Sequence, residues 1–424
     1  MTLTEQITQL ARQGKQASRR LAQLKTADKD SVLVAMAEAL ESNVAALRAA
    51  NAKDMEVGKQ LGLTPAMLDR LELTEPRIRA MAHGLREVAA LPDPIGRLLD
   101  QRTRPNGLRM DKVSSPIGVV VIIYESRPNV TADAASLCLK SGNACILRGG
   151  KEALNSNLMI AELMVAAARS KVPDFPVHAI QVVPIADREA IPLLLSLTEY
   201  IDLCMPRGGE GLIRAVTECS KVPVIKHYKG VCHVFVDRDA DLAMATCIVV
   251  NAKCQRPSTC NAMETLLVDR PIAGQLLPLL TPDLQRHSVE LHADADSLAV
   301  LRDSGLKLVP VSASDYSTEY NNYIMNVRVV DGIAEAVDHI ARYGSAHSDS
   351  IVTRNEATAR RFLAEVDSAA VYWNASTRFT DGGEFGMGAE IGISTDKVGA
   401  RGPMGLEELT TYRWLVYGEG QIRQ

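Results

Sequence analysis

Residues 116–150 read PIGVVVIIYESRPNVTADAASLCLKSGNACILRGG. After Pro116-Ile117-Gly118 the run VVVIIY is apolar at every position, without the alternation of a half-exposed strand. A run of that kind is buried on both faces, as strands of a parallel sheet are. A helix is expected over Ala132–Lys140, then a turn at Ser141-Gly142-Asn143, then a second strand in ACILRGG. Strand, helix and strand in this order make a βαβ unit, and the reading of the fold grows outward from it.

Downstream the alternation continues. A helix is expected over Asn155–Ser170, a strand in VHAIQVV, a helix over Arg188–Leu197, and a strand in IDLCMP that ends at Arg207-Gly208-Gly209. Gly211–Cys219 reads as a helix and VPVIKH as a further strand. From Gly230 a second series follows, with strands in HVFVD, ETLLVD, SVELHAD, MNVRVVD, SDSIVT and AAVYWN separated by helical segments. Upstream, residues 1–90 read as helices. Ile7, Leu10, Ala11, Ala17, Leu21 and Leu24 recur at three- and four-residue steps, and Lys29–Ala49 repeats the pattern. Pro92–Pro105 breaks it, and residues 99–113 alternate as an exposed hairpin or arm. The tail GPMGLEELTTYRWLVYG ends in another alternating run, expected to pair with that arm or with another subunit. The fold class is therefore α/β, with two doubly wound α/β domains and a small strand-based arm.

Composition narrows the function classes. At ~150 residues per domain, 424 residues suggest two or three domains. Lys and Arg number 47 against 51 Asp and Glu, and aromatics are 4%. Neither a basic field nor a stacking platform for nucleic acid is visible. No apolar run reaches the ~18 residues of a membrane span. The N-terminal MTLTEQITQLARQGKQ lacks a secretory pattern, so the cytoplasm is the expected compartment and no membrane is involved.

Eight cysteines occur at 138, 145, 204, 219, 232, 247, 254 and 260. No C-x-x-C pair exists, so no metal site is expected. Most sit in apolar runs and read as small buried hydrophobes. Cys260 differs: in QRPSTCNAMETLLV it lies on a polar loop between a helix and a strand, with Arg256 four residues earlier to favour a thiolate. Nearby Cys254 is the residue most easily confused with it. Among the glycines, Gly149-Gly150-Lys151 ends a strand but no P-loop pattern is present. Gly386-Met387-Gly388 reads as loop. Arg207-Gly208-Gly209-Glu210 follows a strand and opens a helix, where backbone N–H groups favour phosphate, although any tight turn also suits glycine.

Taken together, QRPSTCNAMETLLV, YESRPNVT, SGNACILRGGKEA, MPRGGEGLI and NASTRFTDGGEFGMGAEIGIS with ARGPMGLEELTTY resemble the gamma-glutamyl phosphate reductase family, a branch of the aldehyde dehydrogenase superfamily. The motifs occur in family order over nearly the whole chain. The resemblance implies an aldehyde dehydrogenase-like fold. Residues 1–98 and 114–229 would form a cofactor-binding domain, 230–400 a catalytic domain, and 99–113 with 401–424 an oligomerisation arm. It implies NADPH-dependent reduction of L-glutamyl 5-phosphate to L-glutamate 5-semialdehyde, with release of phosphate, in proline biosynthesis. Cys260 would be the nucleophile. Arg148 stands where the superfamily has a lysine on the adenosine ribose, and Arg207, Gly208, Gly209 and Glu210 form the turn before the cofactor helix. Glu319 falls near the glutamate that grips the nicotinamide ribose.

Hydrolytic aldehyde dehydrogenases carry E-L-G-G-K, whose glutamate activates water. Here Lys226-His227-Tyr228-Lys229-Gly230 takes that place without a carboxylate, which suits an enzyme that does not hydrolyse its thioester. The alternatives are a hydrolytic dehydrogenase of a small semialdehyde, against which the missing glutamate counts, and a silent scaffold, against which Cys260 and both glycine turns count. Oxyanion and substrate candidates are Ser126, Arg127, Asn129 and Arg256, with Asn374, Ser376, Thr377 and Arg378 for the amino-acid end. Arg148 and Lys151, beside Gly149 and Gly150, are expected to read the 2′-phosphate of NADPH, with no acidic residue there to favour a free ribose hydroxyl. A homo-oligomer is expected, and the upstream glutamate kinase is a candidate partner.

Overall fold

A computed structural model describes residues 1–423. The chain divides into two compact units. The first comprises Met1–Lys226, Gly386–Gly392 and the described residues from Met404 onward, and the second comprises His227–Phe385 and Ile393–Pro403. In the first unit the elements are α1 (Leu3–Leu21), α2 (Thr26–Ser42), α3 (Val44–Gln60), α4 (Pro65–Leu71), α5 (Glu75–Ala90), β1 (Leu98–Thr103), β2 (Arg109–Pro116), β3 (Val119–Tyr124), α6 (Asn129–Lys140), β4 (Ala144–Arg148), α7 (Leu154–Lys171), β5 (Ile180–Val182), α8 (Ala190–Leu195), β6 (Leu203–Arg207) and α9 (Glu210–Cys219).

A glycine sets the entry to the central strand. Gly118 has φ +132°, and a Cβ there would lie 2.9 Å from the Asp202 carboxyl carbon. That carboxylate accepts from the Val119 N–H at 2.8 Å and from Lys15 Nζ at 2.7 Å, so the turn is tied to α1 and to the start of β6. All six residues of β3 are buried, each Val or Ile contributing ~1.5–3 kcal/mol of apolar burial. The sheet order is β5-β4-β3-β6, all parallel.

Two expectations are corrected here. Lys29–Ala49 is not one helix. At Asn43 the backbone leaves helical geometry while its amide donates back to Ala39 O at 2.8 Å, the competition that makes asparagine poor inside helices. VPVIKH is not a strand of the sheet but a single bridge between Val224 and Cys204. Pro223 has no N–H to donate to a ladder.

The second unit holds β7 (Cys232–Val236), α10 (Leu242–Cys254), β8 (Met263–Asp269), α11 (Arg270–Arg286), β9 (Glu290–Ala293), α12 (Ala295–Leu301), β10 (Lys307–Pro310), β11 (Ile324–Val330), α13 (Ile333–Tyr343), β12 (Ser348–Val352), α14 (Glu356–Glu365) and β13 (Ala370–Trp373). Its seven strands are parallel in the order β10-β9-β11-β8-β7-β12-β13. Val234, Leu266, Val268, Leu276, Leu280, Met325 and Val327 lie in its largest apolar cluster. Further on, β14 (Gly392–Ser394) and β15 (Gly402–Met404) form a two-stranded ladder, and β16 (Thr410–Tyr417) closes the series. The tail strand β16 pairs antiparallel with β2 along its whole length, in the order β1-β2-β16. Arm and tail are therefore partners within the chain. Tyr412, Trp414, Val416 and Tyr417 remain exposed. Lys112 lies 3.6 Å from the Tyr412 ring centroid, and the Arg109 guanidinium carbon lies 4.2 Å from that of Tyr417.

Candidate active site

In the second unit three loops enter the sheet at its amino edge. Residues 227–231 lead into β7, 255–262 into β8 and 344–347 into β12, and these strands are neighbours in the order β8-β7-β12. Cys260 is half-buried on the middle loop. The expected confusion with Cys254 resolves on burial: Cys254 is buried and its thiol is pushed up to about 11 by desolvation. Gly230 backs the Cys260 loop. A Cβ on Gly230 would lie 2.6 Å from Cys260 Cα and would overlap the Cys260 carbonyl, so only glycine permits this approach.

Two histidines that the sequence reading left without a role converge on the same thiol. Cys260, His227 and His347 each present a ligand atom, all within 4.8 Å of one another. His227 Nδ1 lies 2.8 Å from Ile393 O, and its ring meets that of His347 edge-on at 5.6 Å. His347 is fully buried; its Nδ1 lies 2.9 Å from Ser348 Oγ, which lies 2.6 Å from Thr380 Oγ1. Desolvation and the nearby His227 hold His347 down to about 3, so the ring stays neutral near pH 7. Cys232, also unremarked in the sequence, donates its thiol to Cys260 O at 3.3 Å. Burial, reinforced by the charge of Asp349, holds this thiol well above the usual range. Cys232 opens β7 and His347 immediately precedes β12, the one positional signal that could have found them, while His227 lies on the loop before β7.

The four residues expected at the amino-acid end divide. Asn374 has φ +56° and is committed elsewhere: Thr353 N–H donates to its Oδ1 at 2.9 Å and its Nδ2 donates to Thr353 O at 3.0 Å, at the carboxyl end of β12. The chain then runs back past β12, so that Thr377 and Arg378 reach the Cys260 loop. Thr377 Oγ1 donates to Asn261 O at 2.7 Å, and Arg378 donates to Asn261 Oδ1 and to Gln255 Oε1. Ser376 caps the intervening turn. Desolvation and the Arg256 charge lower Arg378, while Asp381, Cys260 and Cys232 act in the opposite sense, so Arg378 is coupled both to the thiol and to Arg256 on the same loop. Glu319 is half-buried and raises the nearby Glu264, which burial pushes up to about 7 against the opposing Lys253, 2.7 Å away.

The first unit presents its candidate residues at the carboxyl edge of its sheet. Glu125–Asn129 follow β3, Gly149–Lys151 follow β4, and Gly208–Gly209 follow β6 and open α9. Strand order reverses between β3 and β6, the place where open α/β sheets bind ligands. A Cβ on Gly208 would lie 2.7 Å from Glu125 Cδ and 2.8 Å from Leu212 Cδ2, and one on Gly149 would strike the Asn157 amide. Glu210 pairs with Arg214 at 2.6 Å. Ser126 is buried and donates to Glu152, and Asn129 donates to Asp133 at 3.0 Å, so neither amide nor hydroxyl is idle. Arg127 is exposed beside Glu125.

The expectation of no acidic group around Arg148 is corrected. Arg148 donates to Gly149 O at 2.9 Å and Ala186 O at 3.1 Å. Desolvation lowers it, opposed first by the Glu152 charge and then by Asp187, with Arg188 acting with the desolvation. The short helical turn at Lys151–Ala153 brings Glu152 back over Gly150, a fold-back that sequence order alone does not reveal.

An aldehyde dehydrogenase family model matches residues 2–300. The gamma-glutamyl phosphate reductase of Geobacter metallireducens is 52% identical over all of both chains, and that of Nitratiruptor sp. is 51% identical over 97% of this chain and 99% of its own. The chain belongs to the gamma-glutamyl phosphate reductase branch of the aldehyde dehydrogenase family. The crystal structure of the gamma-glutamyl phosphate reductase from Thermotoga maritima superposes with a TM-score of 0.94 at 42% identity, covering 99% of this chain and 100% of that one. The aldehyde dehydrogenase-like fold expected from the sequence therefore holds over the whole length. Among the described residues, no helix is long and apolar enough to cross a membrane.

Proposed function

We propose that this family member reduces L-glutamyl 5-phosphate to L-glutamate 5-semialdehyde, releasing phosphate, in proline biosynthesis, with Cys260 as nucleophile and NADPH as reductant. The observation that carries this reading is a half-buried thiol backed by a glycine, clustered with two histidines and coupled to the Arg378 guanidinium.

Cys260 as thiolate attacks the acyl carbon. Arg256 and Arg378 favour the anionic sulfur and suit the phosphate or carboxylate of the substrate, since a guanidinium forks either group bidentately. His227 presents a ring nitrogen within 4.8 Å of the Cys260 sulfur. The Cys260 backbone N–H is offered to the tetrahedral oxyanion. Phosphate leaves and a thioester remains on Cys260. No carboxylate from Lys226–Gly230 is available to drive water onto it, which weighs against a hydrolytic dehydrogenase.

Nicotinamide cofactor use follows from the family, and the first unit fits such a group. At the α9 amino end the Gly209 N–H donates to Glu125 Oε1 at 3.3 Å, a place that a cofactor phosphate would take, and Arg148, Lys151 and Arg207 supply cations at the same edge. When bound, the reduced nicotinamide supplies the hydride for the thioester carbon. Arg148 and Lys151 read the additional phosphate that distinguishes NADPH, beside Glu152, whose carboxylate accepts from the Ser126 hydroxyl.

The exposed outer edge of β16 is the surface through which we expect a homo-oligomer to close. Sedimentation of the full chain against a version ending at Leu409 tests this: an unchanged mass would make β16 an intrachain strand only. The protein works in the cytoplasm, where handover from the glutamate kinase would shorten the exposure of a labile acyl phosphate to water. The deciding assay runs the reaction backwards. Oxidation of glutamate semialdehyde should require both phosphate and NADP, and turnover without phosphate would overturn the reading.

A further inference from the structure

Cys260, His227 and His347 come from loops entering three adjacent strands, β8, β7 and β12, so a rigid sheet fixes their spacing. Their ligand atoms lie within 4.8 Å of one another. Thiolate and imidazole donors about a tetrahedral zinc ion stand roughly 3.5 Å apart, from Zn–S near 2.3 Å and Zn–N near 2.1 Å. Closing the cluster therefore takes side-chain movements of about 1 Å, and Cys260 and His227 are only half-buried.

The outer contacts of both rings are those of metal-binding histidines. His227 Nδ1 faces a carbonyl, Ile393 O, and donates to it, as the outer nitrogen of a metal-binding histidine does. His347 Nδ1 is engaged by Ser348 Oγ at 2.9 Å and faces the Cys232 thiol at 3.7 Å. Its Nε2 is buried with no hydrogen-bond partner. A buried imidazole nitrogen left unpaired inside a Cys-His-His cluster is a position that a borderline-soft cation satisfies.

We infer that Cys260, His227 and His347 form a reversible inhibitory site for zinc, which occupies the lone pair that the thiolate would otherwise use for attack. Binding releases the Cys260 thiol proton and leaves a fourth position for water. Arg256 and Arg378 repel any cation, which limits the site to an inhibitory role and separates it from a resident structural ion. The consequence for turnover rests on Cys260 being the nucleophile; the metal site itself does not.

Cobalt(II) is the probe, titrated into the full chain under a non-thiol reductant. A thiolate-to-cobalt charge-transfer absorption in the near ultraviolet should rise to one cobalt per chain and be displaced by zinc. Cys260→Ser should abolish that absorption, Cys247→Ser should keep it, and His347→Gln should weaken cobalt binding by at least about tenfold. If His347→Gln fails to fold by circular dichroism, the near-isosteric Cys260→Ser decides alone. Absence of the absorption in the parent, or its survival in Cys260→Ser, overturns the site. An inactive Cys260→Ser beside a parent that shows no cobalt signal would sink the zinc site while leaving the nucleophile standing.

Discussion

The two parallel sheets use opposite edges. In the first unit the loops that suit an anion stand at the carboxyl ends of β3, β4 and β6; in the second, Cys260, His227 and His347 stand at the amino ends of β8, β7 and β12. The difference is electrostatic. A carboxyl edge gathers the amino ends of the helices that follow, whose unpaired N–H groups attract phosphate. An amino edge receives the carboxyl ends of the helices before it. α10 ends at Cys254, six residues before Cys260, so its dipole opposes a thiolate. Side chains must then supply the positive field, which explains why two guanidinium groups, Arg256 and Arg378, act around this loop.

The largest expected effect breaks the amino edge outright. Cys260→Ala should lower turnover by at least about a thousandfold while leaving NADPH binding intact, whereas Cys254→Ala should be mild. Activity within tenfold of the parent would remove Cys260 from the chemistry. Next comes the backing glycine. In Gly230→Ala the new methyl must displace the Cys260 backbone, and a shift of ~1 Å should cost roughly a hundredfold in kcat, again with unchanged NADPH binding. Equal losses in kcat and cofactor affinity would mean that the variant disturbs the whole protein.

At the carboxyl edge the effects are smaller and selective. Replacing Arg148 and Lys151 by Ala should weaken NADPH about tenfold per lost charged hydrogen bond and leave NADH nearly unchanged. Calorimetric titration with both cofactors checks this, and parallel losses would show that these side chains do not read the phosphate. The smallest effect concerns acid. Burial, with His233 and Arg328 beside it, holds His339 down to about 2 from the ordinary 6.5. Its folded value lies below its unfolded one, so its contribution is complete above pH 6.5 and is lost as the pH falls toward 2, because the unfolded chain takes up the proton first. Between about pH 7 and pH 5, His339→Gln should therefore lose less melting temperature than the parent. Parallel slopes would show that His339 does not set the acid limb.

Legibility followed the same division. β3 and β4 could be read from composition alone, because a strand buried on both faces is apolar throughout. The glycine turns were readable because their backbone needs are local. Cys260 stood out only against its small or polar neighbours, Pro257, Ser258 and Thr259. His227 and His347 were illegible, since they are 120 residues apart and meet only through the pairing of β7 with β8 and β12. Asn374 and Thr377 looked equivalent on one polar loop, yet that loop reverses along β12 and delivers only Thr377 and Arg378 to Asn261. Glu152 was in plain view, and its fold-back over Gly150 was not.

The pairing of β2 with β16 has a consequence for synthesis. Arg97, at the foot of the arm, is bonded to Glu407, 310 residues later in the chain. At about 5–20 residues per second, a ribosome needs roughly 15–60 s to deliver that partner. Throughout that interval β2 lacks its second neighbour, and the first unit lacks the stretches from Gly386 and Met404 that complete it. Its helices and four-stranded sheet are translated first but are finished last, after both segments of the second unit have emerged. Nascent chains stalled before residue 410 should therefore present an unpaired β-edge to chaperones, while a mutation in β16 would leave early folding untouched and act only at release.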